Sequence, residues 1–165
     1  MKSILLIRHA KSSWENFSVS DFDRPLNERG KEDAPEMARR MKENNIVPDW
    51  VLVSTAKRTR KTAEYFIKQW HTQPDAVHYL DELYLASPAT LMNVLKGIPD
   101  SVNTVAIIAH NNGLTDFANE LCDVKIDNIP TCGIYAVRAA INSWQQIQEA
   151  DKTFWFFESP KRPNL

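Results

Sequence analysis

Arg8, His9, Arg58 and His110 are residues of the types that handle anions and protons, and each stands where an apolar run gives way to polar residues. Arg8 and His9 follow Ser3-Ile4-Leu5-Leu6-Ile7 and precede Ala10-Lys11-Ser12-Ser13-Trp14; His110 follows Thr104-Val105-Ala106-Ile107-Ile108-Ala109. A guanidinium is a permanent cation with a planar fork of donors, and an imidazole can attack an electrophile or carry a proton near neutral pH. A cation beside an imidazole therefore suits an anionic substrate. Taken singly, either histidine also fits an ordinary strand-end residue beside a surface arginine. Two separate apolar runs that each end in a histidine change the balance: if both are central parallel strands, His9 and His110 emerge side by side.

Arg58 lies in Ser54-Thr55-Ala56-Lys57-Arg58-Thr59-Arg60-Lys61-Thr62-Ala63, after the apolar run Trp50-Val51-Leu52-Val53. An amphipathic helix begins inside this stretch. Its unpaired N–H groups and dipole favour an anion, and Ser54 or Thr55 is a suitable cap. Lys57, Arg60 and Lys61 read as a solvated basic face. Two further residues are candidates of lower specificity. Arg24, stiffened by Pro25, can swing over the site or stay at the surface. Glu82, after Val77-His78-Tyr79-Leu80, can protonate a leaving group if burial raises its pKa, and can equally be solvated. His71 and His78 lack the strand-end setting and read as surface or packing residues.

The elements that must position these residues are legible as alternating patterns. Unbroken apolar runs read as strands buried on both faces, and ligands of such sheets sit beyond the carboxyl ends of the strands. Further strands are expected at Gly133-Ile134-Tyr135-Ala136-Val137 and Thr153-Phe154-Trp155-Phe156-Phe157. Four stripes at i, i+3, i+4, i+7 mark helices: Ala34, Met37, Ala38 and Met41; Ala63, Phe66, Ile67 and Trp70; Leu91, Val94, Leu95 and Ile98; Leu114, Phe117, Ala118 and Leu121. This alternation predicts an α/β fold, a three-layer α/β/α arrangement with a mostly parallel central sheet. Pro35 sits awkwardly in the first stripe; either that helix starts near Lys31 or Pro35 kinks it.

The 165 residues, 43% hydrophobic and 25% charged, fit one domain spanning 1–165 with no linker, repeat or low-complexity segment. A net charge of −1 provides no global field for nucleic acid, so an anion site must be built locally. Cys122 and Cys132, the two cysteines, lack metal-ligand spacing and read as reduced core residues. The first apolar run is too short for a signal peptide or a membrane span, and a cytoplasmic location is expected.

Four blocks in this order resemble the histidine phosphatase superfamily, the phosphoglycerate-mutase-like fold, and within it the short phosphohistidine phosphatases of the SixA type. Leu6-Ile7-Arg8-His9-Ala10-Lys11-Ser12 is similar to the family's Arg-His-Gly block, and Arg24-Pro25-Leu26-Asn27-Glu28-Arg29-Gly30 to its Pro-Leu-Thr-x-x-Gly block. Ser54-Thr55-Ala56-Lys57-Arg58 with Thr62-Ala63 is similar to the Ser-x-Ala-x-Arg-x-x-x-Thr-Ala block, and Ala109-His110-Asn111 to the late Gly-His-Asn block. Ala10 stands where the family's best-known block has glycine, and Asn112-Gly113 where proline often occurs. The resemblance implies that His9 is a nucleophile taking the phosphoryl group. It implies that Arg8, Arg58 and His110 surround the phosphate, with Arg24 and Ser12 as further contacts, and it matches Glu82 only loosely as general acid. Arginines beside His9 favour the neutral, attacking form, and fixed cations stabilise charge on the transferred group's equatorial oxygens. Neither metal nor cofactor is implied.

Between Arg58 and His110 there is little sequence for the lid that sugar-phosphate mutases of the superfamily carry. An open site favours hydrolysis and a phosphoryl group borne on a protein, such as a phosphotransfer domain. The alternatives are a phosphomonoesterase acting on a small phosphorylated metabolite and a non-catalytic phosphoprotein-binding module. Retention of Arg8, His9, Arg58 and His110 speaks against the second. No nucleic-acid or membrane partner is expected.

Overall fold

In the computed structural model, which describes residues 1–162 and 165, six strands form one sheet. The strands are β1 (Lys2–Arg8), β2 (Trp50–Ser54), β3 (Val77–Leu80), β4 (Thr104–Ala109), β5 (Ile134–Ala139) and β6 (Lys152–Glu158), in the order β3-β2-β4-β1-β5-β6. Strands β3, β2, β4 and β1 run parallel to one another; β5 pairs antiparallel with β1, and β6 antiparallel with β5, at one edge. The four helices are α1 (Glu28–Glu43), α2 (Lys57–Trp70), α3 (Pro88–Lys96) and α4 (Gly113–Leu121).

The strand residues alternate between two cores. Leu5, Ile7, Val51, Val53, Ala106 and Ile108 pack with Ala34, Met37 and Met41 of α1 and Ala63, Phe66 and Trp70 of α2. Ile4, Leu6, Leu52, Val105 and Ile107 pack with Leu91, Val94 and Leu95 of α3 and Leu114, Phe117 and Leu121 of α4. Apolar residues at both parities of one strand leave no solvent face, so each face takes a helical layer. The result is the expected α/β/α sandwich with a mostly parallel sheet. Cys122 and Cys132 are buried free thiols. Among the described residues, no helix is long and apolar enough to cross a membrane.

Two local expectations need correction. α1 starts at Glu28, not near Lys31, because Asn27 caps it by accepting from Gly30 N–H at 2.9 Å. The helix then runs through Pro35, whose ring lies on the exposed face, where water can take the carbonyl it leaves unpaired. The N-cap of α2 is Ala56, with no side-chain cap bond. Ser54 and Thr55 are otherwise engaged, with His110 and Asp81 respectively.

Candidate active site

Parallel pairing of the central strands β1 and β4 sets Arg8 opposite Ala109, and His9 N–H donates to the Ala109 carbonyl at 3.1 Å. The residues immediately beyond each strand, His9 and His110, consequently share one rim, their ring centroids 5.4 Å apart. Both are buried, at 7% and 3% exposure.

The His9 ring is held at both nitrogens. Nδ1 lies 2.7 Å from the Ala10 carbonyl oxygen, and Nε2 lies 3.3 Å from Arg58 Nε. A carbonyl only accepts and a guanidinium only donates, so the proton sits on Nδ1 and the lone pair on Nε2. Burial, with the charges of Arg58 and Arg8 adding to it, lowers the His9 pKa from 6.5 to about 3. Burial also takes His110 to about 3, again reinforced by Arg58. Burial thus outranks the arginines as the cause that keeps His9 neutral. Ala10, where the resemblance would place glycine, is fully buried, and its N–H donates to Thr62 Oγ1 at 2.9 Å. Thr62 in turn donates to the Arg58 carbonyl at 2.7 Å, tying α2 to the segment after His9.

Arg58, 2% exposed in the first turn of α2, reaches His9 through Nε and uses its two other nitrogens on Asp21. Nη1 donates to the Asp21 carbonyl at 2.7 Å and Nη2 to Oδ2 at 3.1 Å. Arg24 donates through Nε to Asp21 Oδ1 at 3.2 Å and through Nη1 to Ser12 Oγ at 2.7 Å, and its guanidinium lies 3.5 Å from the Trp14 ring centroid. Arg24 is thus fixed and buried, not a swinging surface residue, and Ser12 serves it as an acceptor. Arg8, at the end of β1, donates through Nη1 to the Ile129 carbonyl at 3.0 Å, and burial lowers its pKa. Asn111 donates to that same carbonyl at 3.2 Å, so the residue after His110 braces the loop that holds Arg8.

Glu82 does not join this group. It stands exposed on the turn Asp81–Leu83 and lines a groove with Trp50 and His78. The carboxylate that does reach the arginines is Asp21, which the sequence reading passed over along with Tyr84. Tyr84 Oη donates to Asp21 Oδ2 at 2.5 Å, and its ring packs edge-on against His110, with centroids 5.4 Å apart. Burial pushes the Asp21 carboxyl up, but the Tyr84 hydrogen bond and the guanidinium groups of Arg58 and Arg24 outweigh it and hold the pKa at about 2. The spacing Asp21-x-x-Arg24 was the available signal, since a carboxylate three residues before an arginine can pair with it. His71 caps the end of α2 in a left-handed conformation, and His78 stacks on Trp50 with centroids 4.2 Å apart, both outside the site. Among the described residues, no group of three or more His, Cys, Asp or Glu could hold a metal ion.

Two buried nitrogens of the site, Arg8 Nε and His110 Nδ1, meet no partner among the described residues. Buried polar atoms are normally paired. Two left open beside the unprotonated Nε2 of His9 and two further guanidinium groups can accommodate the charge of a small oxyanion.

Comparison with known proteins agrees in family and fold. Residues 4–92 match the model of the histidine phosphatase superfamily, branch 1. An uncharacterised chloroplastic protein of Arabidopsis thaliana is 30% identical over 158 residues, covering 88% of this chain and 70% of that protein. An uncharacterised protein of Mycobacterium tuberculosis is 29% identical over 94% of this chain and 100% of its own length. Among solved structures, the protein histidine phosphatase SixA complexed with tungstate superposes with a TM-score of 0.81 at 23% identity, over 96% of this chain and 97% of that one. A SixA-type protein from Agrobacterium tumefaciens gives 0.83 at 24% identity, over 96% and 98%. At these identities the superpositions speak for the phosphoglycerate-mutase-like fold. The family match covers more than half of the chain and includes Arg8, His9 and Arg58, so the chain belongs to the histidine phosphatase superfamily.

Proposed function

We propose that this phosphatase hydrolyses phosphohistidine on a protein, through a covalent phosphoryl group on His9 Nε2. The observation that carries the reading is the double anchoring of the His9 ring. With Nδ1–H held by the Ala10 carbonyl, the Nε2 lone pair is the one available for attack. In the first step that pair bonds to phosphorus, the bond from phosphorus to the leaving group breaks, and its electron pair departs with the leaving group. Positive charge then develops on the His9 ring, and the Nδ1–H bond to Ala10 stabilises it. Arg8, Arg58, Arg24 and His110 would hold the equatorial oxygens. In the second step water adds to phosphorus, the P–Nε2 bond breaks, its electron pair returns to the imidazole, and both protons of the water leave with the product as dihydrogen phosphate.

The substrate class follows from the proton inventory. Glu82 is off the site, and Asp21, held at about 2, is a carboxylate at neutral pH. An alkoxide leaving group needs an acid that neither supplies. A phosphohistidine already protonated on its other ring nitrogen leaves as neutral imidazole and needs none. The position of a phosphorylated protein at the site is further favoured by the absence of a long lid between α2 and β4, where α3 is the one α-helix.

The test compares a phosphohistidine-bearing phosphotransfer domain with an alkyl and an aryl phosphate. Turnover should be fastest on the phosphohistidine protein and slowest on the alkyl ester, and a rapid quench should trap acid-labile phosphate on the wild-type chain. His9→Ala should abolish both turnover and trapping. Faster turnover of small esters than of the protein would replace this reading with a small-molecule phosphomonoesterase. Binding without turnover of any of them would leave a phosphoprotein-binding module.

A further inference from the structure

His110 is held by a single hydroxyl. Its Nε2 lies 2.7 Å from Oγ of Ser54, the last residue of β2, and Ser54 is fully buried. β2 and β4 are neighbours in the sheet, so the contact joins the ends of adjacent parallel strands. The direction of this hydrogen bond decides which nitrogen of His110 carries the proton.

The inventory of donors and acceptors settles it. Ser54 Oγ accepts from Ala56 N–H at 3.4 Å, and among the described residues no group other than His110 is in place to take the Ser54 proton. Suppose the imidazole donated through Nε2–H. The Ser54 proton would then be buried without an acceptor, and Nδ1 would be a buried lone pair without a donor. Reversing the bond removes the first defect. Ser54 gives its proton to Nε2, the ring proton resides on Nδ1, and Nδ1–H alone remains open. Each unmet buried polar group is destabilising, so the arrangement with one open group is favoured over the one with two.

We infer that Ser54 is a positioning residue that fixes His110 as the Nδ1–H tautomer, so that the imidazole presents a donor to a phosphoryl oxygen. The inference rests on the reading above that His9 and His110 flank a transferred phosphoryl group. The opposite tautomer would set a lone pair against an anionic oxygen and repel the group that Arg8 and Arg58 attract. Ser54 touches no substrate; it acts through the ring.

Nitrogen-15 spectra of histidine-labelled full-length protein distinguish the two tautomers directly, with His110→Gln used to assign the signals. The wild type should show His110 protonated on Nδ1. Ser54→Ala should move the proton to Nε2 or average the two forms. It should also lower kcat by about 10- to 100-fold, the scale of losing one buried hydrogen bond, and weaken binding of vanadate. Ser54→Thr keeps the hydroxyl and should restore both the tautomer and most of the rate. A wild-type His110 protonated on Nε2 overturns the inference, as does a Ser54→Ala protein that keeps the Nδ1–H form at full rate. The wild-type spectrum needs neither a variant that folds nor any turnover, so it is read independently of the proposed reaction. An Nδ1–H ring in a protein that hydrolyses no phosphoryl compound refutes the reaction and upholds the tautomer. Turnover by a protein whose ring is Nε2–H does the reverse.

Discussion

A carboxylate that grips two guanidinium groups competes with any anion that needs the same donors. Asp21 pairs with Arg58 Nη2 at 3.1 Å and with Arg24 Nε at 3.2 Å while its side chain stays 42% exposed. Its negative charge beside the proposed phosphate position is repulsive, and its partial exposure limits that repulsion to about 1 kcal/mol. Asp21→Asn should therefore tighten competitive inhibition by inorganic phosphate by about fivefold, measured against an aryl phosphate substrate. Weaker inhibition would show that Asp21 matters by aiming the arginines, not by opposing the substrate. At this scale the sequence was informative about residues attached to regular elements. Arg8, His9, Arg58 and His110 are found by reading where apolar runs end. Asp21 and Tyr84 lie on irregular segments 63 residues apart and meet only because two turns fold over the same strand ends. Glu82 offers its carboxyl group from the turn beside Tyr84. Its exposure is set by which neighbour the turn buries, and Leu83 is the one that goes under.

Between elements, the site depends on how closely the start of α1 approaches the loop after His9. Asn27 N–H donates to the Lys11 carbonyl at 2.9 Å, and Ser12 pairs with Leu26 across an isolated bridge. Gly30 permits this: a Cβ there would fall inside the van der Waals radius of the Lys11 carbonyl oxygen, which is backbone and cannot turn away. Helix propensity alone would make Gly30→Ala stabilising by up to about 1 kcal/mol. Overpacking against fixed backbone costs about 1–3 kcal/mol and should win. Urea denaturation should show a net loss of stability. The rate should fall as well, because the displaced loop carries Ser12 and so Arg24. The helix patterns show where α1 to α4 lie but not these approaches. Pro35 makes a start near Lys31, three residues too late, one of two readings of α1, because a proline beyond the first turn argues against a straight helix unless its face is known to be solvated. The true cap, Asn27, was in view as part of a loop block. The antiparallel orientation of β5 and β6 left no mark in the sequence, since a short apolar strand reads alike in either direction.

For the molecule as a whole, burying two neutral imidazoles between helical layers links the site to the stability of the fold. In the unfolded chain His9 and His110 take up protons near pH 6.5; in the folded chain both resist until about pH 3. Over that interval the unfolded state binds more protons, so stability rises with pH and is lost as pH falls. The contribution is fully present above pH 6.5 and disappears progressively towards pH 3. Asp21, lowered from 3.8 to about 2, extends the loss in the same direction at the acid end. With two groups unprotonated in the fold, the slope approaches about 2.7 kcal/mol per pH unit at its steepest. Thermal unfolding followed from pH 7 to pH 4 should therefore show a steep decline in Tm, and His110→Gln, which cannot take the proton, should flatten it by about half. A profile equally flat in both proteins would mean that the imidazoles are hydrated in the fold and that burial does not keep His9 neutral. The activity follows a separate rule: the His9 lone pair is retained down to about pH 3, so loss of rate between pH 7 and pH 5 reports substrate protonation or unfolding, not titration of the proposed nucleophile. Measuring kcat and the folded fraction on the same samples, with substrates whose own phosphoryl pKa values differ, separates the two, and a fall in kcat near pH 6.5 that is the same for every substrate with the fold intact would refute the buried, neutral His9.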